Sequence, residues 1–167
     1  MIGVLAGAAF GGVWGLAGVS GLRGAARGRV AVLVLMTTVA LVAATLVWRP
    51  VGWRLTRAFD LPVYMVAVIA EALLIPVCAV TLQRRGHAKL IPVAAAAVVA
   101  LHFIGLWLAT GVAGFLILSL ALLAPPTIAA LRYRRDAALP GQRPLAITGL
   151  GSFGVLSLAA LSGFFLH

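Results

Sequence analysis

The sequence is poor in acidic residues and in cysteine. Three Asp or Glu stand against thirteen Lys or Arg, and charged residues make up 10% of the 167 positions, where soluble domains average about 25%. The single cysteine, Cys78, excludes an internal disulfide. Because 63% of the residues are apolar, the sequence also excludes a soluble domain, whose core could not hide so much apolar surface.

Apolar stretches of membrane-spanning length recur along the whole chain. A helix needs roughly 20 apolar residues to cross a bilayer and satisfies its own backbone polar groups there. The run from Leu90 to Leu131 is about twice that length, so we expect a turn at Ala109-Thr110-Gly111. We predict an all-α integral membrane helical bundle, a single domain over 1–167, with six transmembrane helices at about 1–22, 30–47, 61–82, 90–109, 112–131 and 145–166. The main alternative is five spans, with the first segment removed or peripheral.

The cations lie in the short connectors between these apolar runs. With six spans, ten of the thirteen fall in the first, third and fifth connectors, which share one side of the membrane. The positive-inside rule then predicts a plasma (inner) membrane protein with this side in the cytoplasm and both termini outside. This placement favours anionic lipid headgroups as partners and argues against nucleic acid.

The second connector, Trp48 to Asp60, interleaves aromatic and basic residues. Indole rings prefer the headgroup layer, so we predict a short segment lying along the membrane surface. Asp60 followed by Leu61-Pro62 is typical of a helix start, with an acceptor at the cap and Pro in the first turn.

Glycines recur at every fourth position of the first segment, which places them on one helix face. A face without side chains lets a neighbouring backbone approach closely. The stretch 149–154 fits the glycine pattern of dinucleotide-binding turns, which requires a strand and a soluble sheet that an apolar span cannot provide. We therefore interpret it as a packing face directed at the first segment. The predicted packing glycines are Gly3, Gly7, Gly11, Gly15, Gly151 and Gly154.

Two ionisable residues lie deep within the third and fourth apolar segments. Glu71 is eleven residues before Leu82, and His102 is twelve residues after Leu90. At ~1.5 Å per residue both are roughly 16–18 Å from the basic turn that joins the segments, near the middle of a hydrocarbon layer about 30 Å thick. Spacing therefore predicts equal depth for the two groups and leaves open whether they face each other.

Glu71 and His102 form the candidate proton or ligand site, because ionisable groups at the midplane are costly and usually functional. The pair could pass a proton or hold a cationic or polar solute. It could also be a structural pair that fixes helix register, or the two could face different neighbours. The sequence contains no P-loop, metalloprotease, serine-hydrolase or zinc-binding pattern, so we expect no catalytic residues, no metal and no cofactor.

The stretch Leu90-Ile91-Pro92, followed by Leu101-His102-Phe103, resembles a loose group of small bacterial multi-pass membrane proteins. Members carry an Ile-Pro helix start and a later His-Phe pair, with an acid in the preceding span. The resemblance covers the third and fourth segments. It implies a helical integral membrane fold and supplies no established activity.

Three functions fit these observations. The first is a small transporter or permease-like protein, proton-coupled, with Glu71 and His102 in or beside its polar path. The second is a non-catalytic membrane component that binds a membrane partner or self-associates as a homo-oligomer through its glycine-rich faces. The third is an intramembrane enzyme acting on lipid, for which only Thr37, Thr38 and Ser119 add polar groups. The absence of a soluble catalytic region argues against an enzyme.

Overall fold

The described part of the chain forms a bundle of six long helices. The computed structural model describes residues 2–48, 58–135 and 143–165, with only the backbone described for 2–6, 48 and 163–165. The helices are α1 (Ile2–Ser20), α2 (Ala25–Trp48), α3 (Leu61–Arg84), α4 (Ile91–Thr110), α5 (Ala113–Arg135) and α6 (Arg143–Phe165). Over these ranges no strand occurs, and the predicted all-α fold class is confirmed.

Five of the helices, α2 to α6, are long and apolar enough to cross a membrane. Their outward surfaces carry large apolar side chains, including Val39, Val66, Leu73, Ile117 and Leu158, each more than half exposed. Such surfaces are stable only against lipid or another apolar partner. The remaining helix, α1, is 19 residues long without a charged residue and packs along α6, its most extensive contact.

Several helices extend beyond the predicted apolar runs into the basic connectors. α2 begins at Ala25 and includes Arg27 and Arg29, while α5 continues to Arg135. Arginine is a good helix former, and a helix that leaves the hydrocarbon layer keeps its hydrogen bonds in water. The helices therefore end where capping or turn residues stop them, and the change in polarity alone does not end them.

The predicted turn signals on either side of the α3–α4 hairpin are confirmed. Asp60 caps α3, its carboxylate accepting the Val63 N–H at 3.1 Å, with Pro in the first turn. α4 ends at Thr110, and Gly111 follows in the left-handed conformation at φ 73° that glycine adopts without strain. The Asp60 N–H donates to the Ala109 carbonyl at 2.9 Å and so joins the start of α3 to the end of α4.

The helices pack in a row that runs α3, α4, α5, α6, α1, α2, with smaller contacts of α6 on α4 and α2. One core cluster joins α4, α5 and α6 through Ala100, Leu118, Leu122 and Leu156, and a second joins α1, α2 and α6. α6 lies at the centre of this arrangement. α3 lies at one margin and, among the described residues, contributes no buried side chain.

The ends of the helices that carry most of the cations lie together. Gly18, near the end of α1, contacts Gly149 near the start of α6, and the His87 ring lies 6.3 Å from that of Tyr133. The first, third and fifth connectors therefore share one end of the bundle, which we call the basic end. Its cations are all exposed and are Arg23, Arg27, Arg29, Arg84, Arg85, Lys89, Arg132, Arg134, Arg135 and Arg143.

The predicted interfacial segment falls largely on residues 49–57, which include Trp53 and lie outside the described residues. The prediction for this segment therefore stands on the sequence alone.

Candidate functional site

The candidate site lies between α3 and α4, which the turn at residues 85–90 folds into an antiparallel hairpin. At the turn, the His87 N–H donates to the Leu82 carbonyl at 2.8 Å, and Gly86 adopts φ 73°. The opposite end of the hairpin is held by the hydrogen bond from Asp60 to Ala109. Because hydrogen bonds hold the hairpin at both ends, the register of the two helices is fixed. This register brings Glu71 level with His102.

The side chains of Glu71 and His102 meet. His102 Nδ1 lies 2.9 Å from Glu71 Oε2, within ion-pair distance. The nitrogen is shielded from solvent, and the approach lacks the alignment of a hydrogen bond.

The two partners differ in exposure. The His102 side chain is 13% exposed, whereas that of Glu71 is 29% exposed. Glu71 belongs to the helix without buried residues, so its carboxyl group has one open side. The imidazole is thus largely covered within the hairpin, whereas the carboxylate is partly exposed at the margin of the bundle.

Tyr64 is a third polar residue at the site that sequence reasoning missed. Its ring lies edge-on to His102 with 5.8 Å between ring centroids, and its centroid lies 5.4 Å from that of the Phe59 ring. Tyr64 precedes Glu71 by seven residues, two helical turns, so the two share a face of α3. That spacing was the available signal, but a tyrosine near a span end is also typical of the membrane interface.

The close approach of the two helices depends on Gly105. A Cβ atom at this position would overlap the Ala67 Cβ of α3. Gly105 follows His102 by three residues, nearly one turn, and Ala67 precedes Glu71 by four. These small residues therefore let the two helices lie close together directly beside the ion pair, at a separation that the Glu71 and His102 side chains can span.

The predicted packing glycines of α1 lie against neighbouring helices of the same chain. A Cβ at Gly7 or Gly11 would contact Leu156 of α6, and one at Gly15 would contact Val34 of α2 and Phe153 of α6. The surroundings of Gly3 lie outside the described part of the structure. The part of the glycine face formed by Gly7, Gly11 and Gly15 is therefore covered by helices of the same chain.

The glycines of α6 have different surroundings from one another. A Cβ at Gly151 would meet Pro125 of α5 at 2.7 Å, and one at Gly154 would have nothing within 4 Å. Contact with α1 is made instead by Gly149, whose backbone lies against that of Gly18. Gly149 belongs to the stretch 149–154 that the sequence predicts to pack on the first segment, whereas Gly18, three residues after Gly15, was not among the predicted glycines.

The other polar residues considered in the sequence lie on helices away from the pair. Thr37 and Thr38 belong to α2, which packs on α1 and α6, and Ser119 is fully buried on α5. Among the residues whose surroundings are described, α3 packs extensively only on α4. No three His, Cys, Asp or Glu residues come together as metal ligands within this same part of the chain.

Comparison with known proteins adds no homologue to this description. No protein-family model, curated protein or solved structure matches the chain. Function must therefore be inferred from the contact between Glu71 and His102 and from the helices that carry it.

Proposed function

We propose that the protein is a small proton-coupled transporter, permease-like in organisation, with Glu71 and His102 as its polar site. The observation that carries this proposal is the 2.9 Å contact between a carboxylate and an imidazole near the middle of two membrane-length helices. Tyr64 belongs to the same site through its contact with His102.

Energetics favour a functional role over a purely structural one. A charged residue at the centre of a membrane helix costs about 2.5–3.5 kcal/mol on insertion scales. Polar contacts between membrane helices return about 0.6 kcal/mol on average and at most about 1.7. A pair that served only to hold α3 on α4 would cost more than it contributes, and an apolar contact would serve better.

The chemistry of the pair defines what it can carry. Glu71 and His102 are neutral together when they share one proton, the state of lowest cost in a low-dielectric layer. If the site releases that proton, the same overall charge is restored by a small cation at the carboxylate. The pair therefore supports exchange of a proton for a cationic solute, and the substrate class we propose is a proton and a small organic or inorganic cation.

The packing of α3 supports movement around this site. α3 has no buried residue over its whole length and packs extensively only on α4. Transport requires the site to open alternately to each side, and the least packed element is the one that moves at the lowest energetic cost. Outward displacement of α3 would expose Glu71 first, because that carboxyl group already has an open side.

Replacing the carboxylate tests the proposal. In proteoliposomes with an imposed pH gradient and an internal pH-sensitive dye, Glu71→Gln is expected to abolish proton flux, because the amide cannot exchange a proton. Asp60→Asn is the matched control, since it makes the same chemical change at the α3 cap, where Asn caps as well as Asp. Normal flux in correctly folded Glu71→Gln protein would refute the proposal.

The glycine-rich faces give less support to the alternative of a partner-binding component. Gly7, Gly11 and Gly15 face α6 and α2 of the same chain. A partner using these faces would have to displace α6, the helix at the centre of the bundle. We further propose a plasma-membrane location with the basic end in the cytoplasm, following the positive-inside rule.

A further inference from the structure

Most of the cations of the basic end come from three segments that meet there. The α3–α4 turn supplies three, the end of α5 three, and the start of α6 one. The ring contact between His87 and Tyr133 brings the turn to α5, and the 3-10 turn Ala88–Leu90 packs on α6. We call this group the seven-cation cluster, and its members are Arg84, Arg85, Lys89, Arg132, Arg134, Arg135 and Arg143.

The seven-cation cluster has no anionic partner among the residues that the structure describes. In the described part of the chain, the ion pair joins Glu71 to His102, and none of the seven cations takes part in it. All seven cations are exposed. Seven like charges on adjacent segments repel one another, so an anion bound among them stabilises the arrangement. Arginine in particular binds phosphate through two parallel hydrogen bonds.

Exposed apolar side chains lie on the same helix faces, about one turn further into the membrane. Val77 and Val80, 59% and 48% exposed, precede Arg84 by seven and four residues on α3. Ile128 and Leu131, 47% and 49% exposed, each precede a cation of α5 by four residues. Because residues four and seven apart share a helix face, each cation stands at the end of an apolar strip.

The helix between the two strips carries small side chains. α4 packs on both α3 and α5, and its half near the basic turn carries the partly exposed residues Ala94, Ala95 and Ala97. Small side chains on the middle helix leave room for an acyl chain beside the longer residues of the flanking helices. A free phosphate ion would use the cations but would have no use for this apolar surface.

We propose that the seven-cation cluster is a binding site for an anionic phospholipid. The phosphate binds the arginines of the α3–α4 turn and of the end of α5, and the acyl chains lie along the Val77–Val80 and Ile128–Leu131 strips over α4. This site uses neither Glu71 nor His102, so it is independent of the proposed transport function.

The affinity of the purified full-length protein for individual lipids tests the site. Native mass spectrometry in mild detergent would compare phosphatidylglycerol with phosphatidylcholine of the same chains and with glycerol 3-phosphate. Phosphatidylglycerol is expected to bind at least about tenfold more tightly than either. The triple variant Arg84→Gln, Arg132→Gln, Arg135→Gln is expected to lower that affinity about 100-fold, from the attraction of three cations.

A second triple variant separates a defined site from general surface charge. Arg23→Gln, Arg27→Gln, Arg29→Gln removes the same charge from the same end of the bundle, outside the seven-cation cluster, and is expected to change the affinity by less than about threefold. Equal losses in the two triples would overturn the proposal, as would equal binding of phosphatidylcholine. Helix content and elution volume establish that each variant is folded.

The apolar part of the site has its own test. The double variant Val80→Ser, Ile128→Ser keeps every cation and is expected to lower the affinity for phosphatidylglycerol about tenfold through lost acyl contacts. Tight binding of glycerol 3-phosphate, or no effect of this double variant, would identify a phosphate site without lipid specificity and would overturn the assignment.

Discussion

Glu71 needs a partner from another helix, whereas three threonines bond to the backbone of their own helices. Thr38, Thr45 and Thr127 each donate a hydrogen bond to the carbonyl four residues earlier, at 2.7–2.8 Å. A carboxylate is an acceptor only, and the N–H groups within a helix are already used by its backbone. The nearest available group is the His102 imidazole, and Tyr64 covers the ring of that histidine.

A double-mutant cycle would measure the contact between Glu71 and His102. Glu71→Gln, His102→Gln and the double variant are expected to give a coupling free energy of about 1–1.7 kcal/mol in the free energy of unfolding, at the upper end for membrane helices. Reversible unfolding in mixed detergent micelles would supply the values. A parallel cycle of Glu71→Gln with Thr127→Ala, on helices that do not pack extensively together, should be additive within about 0.5 kcal/mol. Additivity in the first cycle would contradict a direct interaction.

The helices α1 and α3 differ in how closely they pack on their neighbours. α1 exposes glycines to α6, and the backbones of Gly18 and Gly149 touch, so the contact is close and extensive. α3 approaches α4 closely near Gly105 and Ala67 but has no buried side chain. We therefore expect α1 and α6 to remain together as a rigid unit, while α3 is the helix that can move.

Adding one methyl group at two positions of α6 tests the packing of α1. At Gly149 the new Cβ would lie on the backbone of α1, so Gly149→Ala is expected to lower the free energy of unfolding by about 1–3 kcal/mol. Gly154→Ala is the matched control, because nothing lies within 4 Å of its Cβ, and alanine stabilises a helix relative to glycine. Thermal unfolding of both variants in the same detergent checks the difference. Equal stability would contradict direct backbone contact.

The complete molecule combines an apolar lateral surface with one strongly basic end. Ten exposed cations at one end of the helices, among the residues described, make the two ends of the bundle electrostatically different. The proposed orientation places the charged end in the compartment whose membrane leaflet and potential favour cations. Orientation is therefore a property of the entire bundle, and no single connector determines it.

Cysteine labelling in cells that express the protein would establish this orientation. In a Cys78→Ser background, Gln83→Cys lies beside the basic end and Ala113→Cys at the opposite end; both positions are exposed. A membrane-impermeant maleimide added outside should label the second position and reach the first only after the membrane is opened. The reverse pattern would refute the proposed orientation, and labelling of both from outside would contradict the placement of Gln83 and Ala113 at opposite ends of the bundle.

Local signals were sufficient for the helices and for the ends of the α3–α4 hairpin. Apolar runs, the Asp60 cap and the turn at Gly111 act over a few residues, so the chain specifies them without reference to distant partners. Antiparallel counting along the hairpin also placed Glu71 and His102 at equal depth, because the rise per residue of a helix is constant.

Whether the two side chains meet depended on the rotation of each helix about its own axis. That rotation follows from contacts between residues far apart in sequence, such as Gly105 on Ala67, and no local pattern encodes it. The same holds for Tyr64 beside His102 and for Gly18 against Gly149, because each depends on which helix becomes a neighbour. The tertiary structure alone decided these pairings. The hydropathy of each helix is nearly equal on every face, so hydropathy does not indicate which face meets a neighbouring helix, and packing determines the contacts.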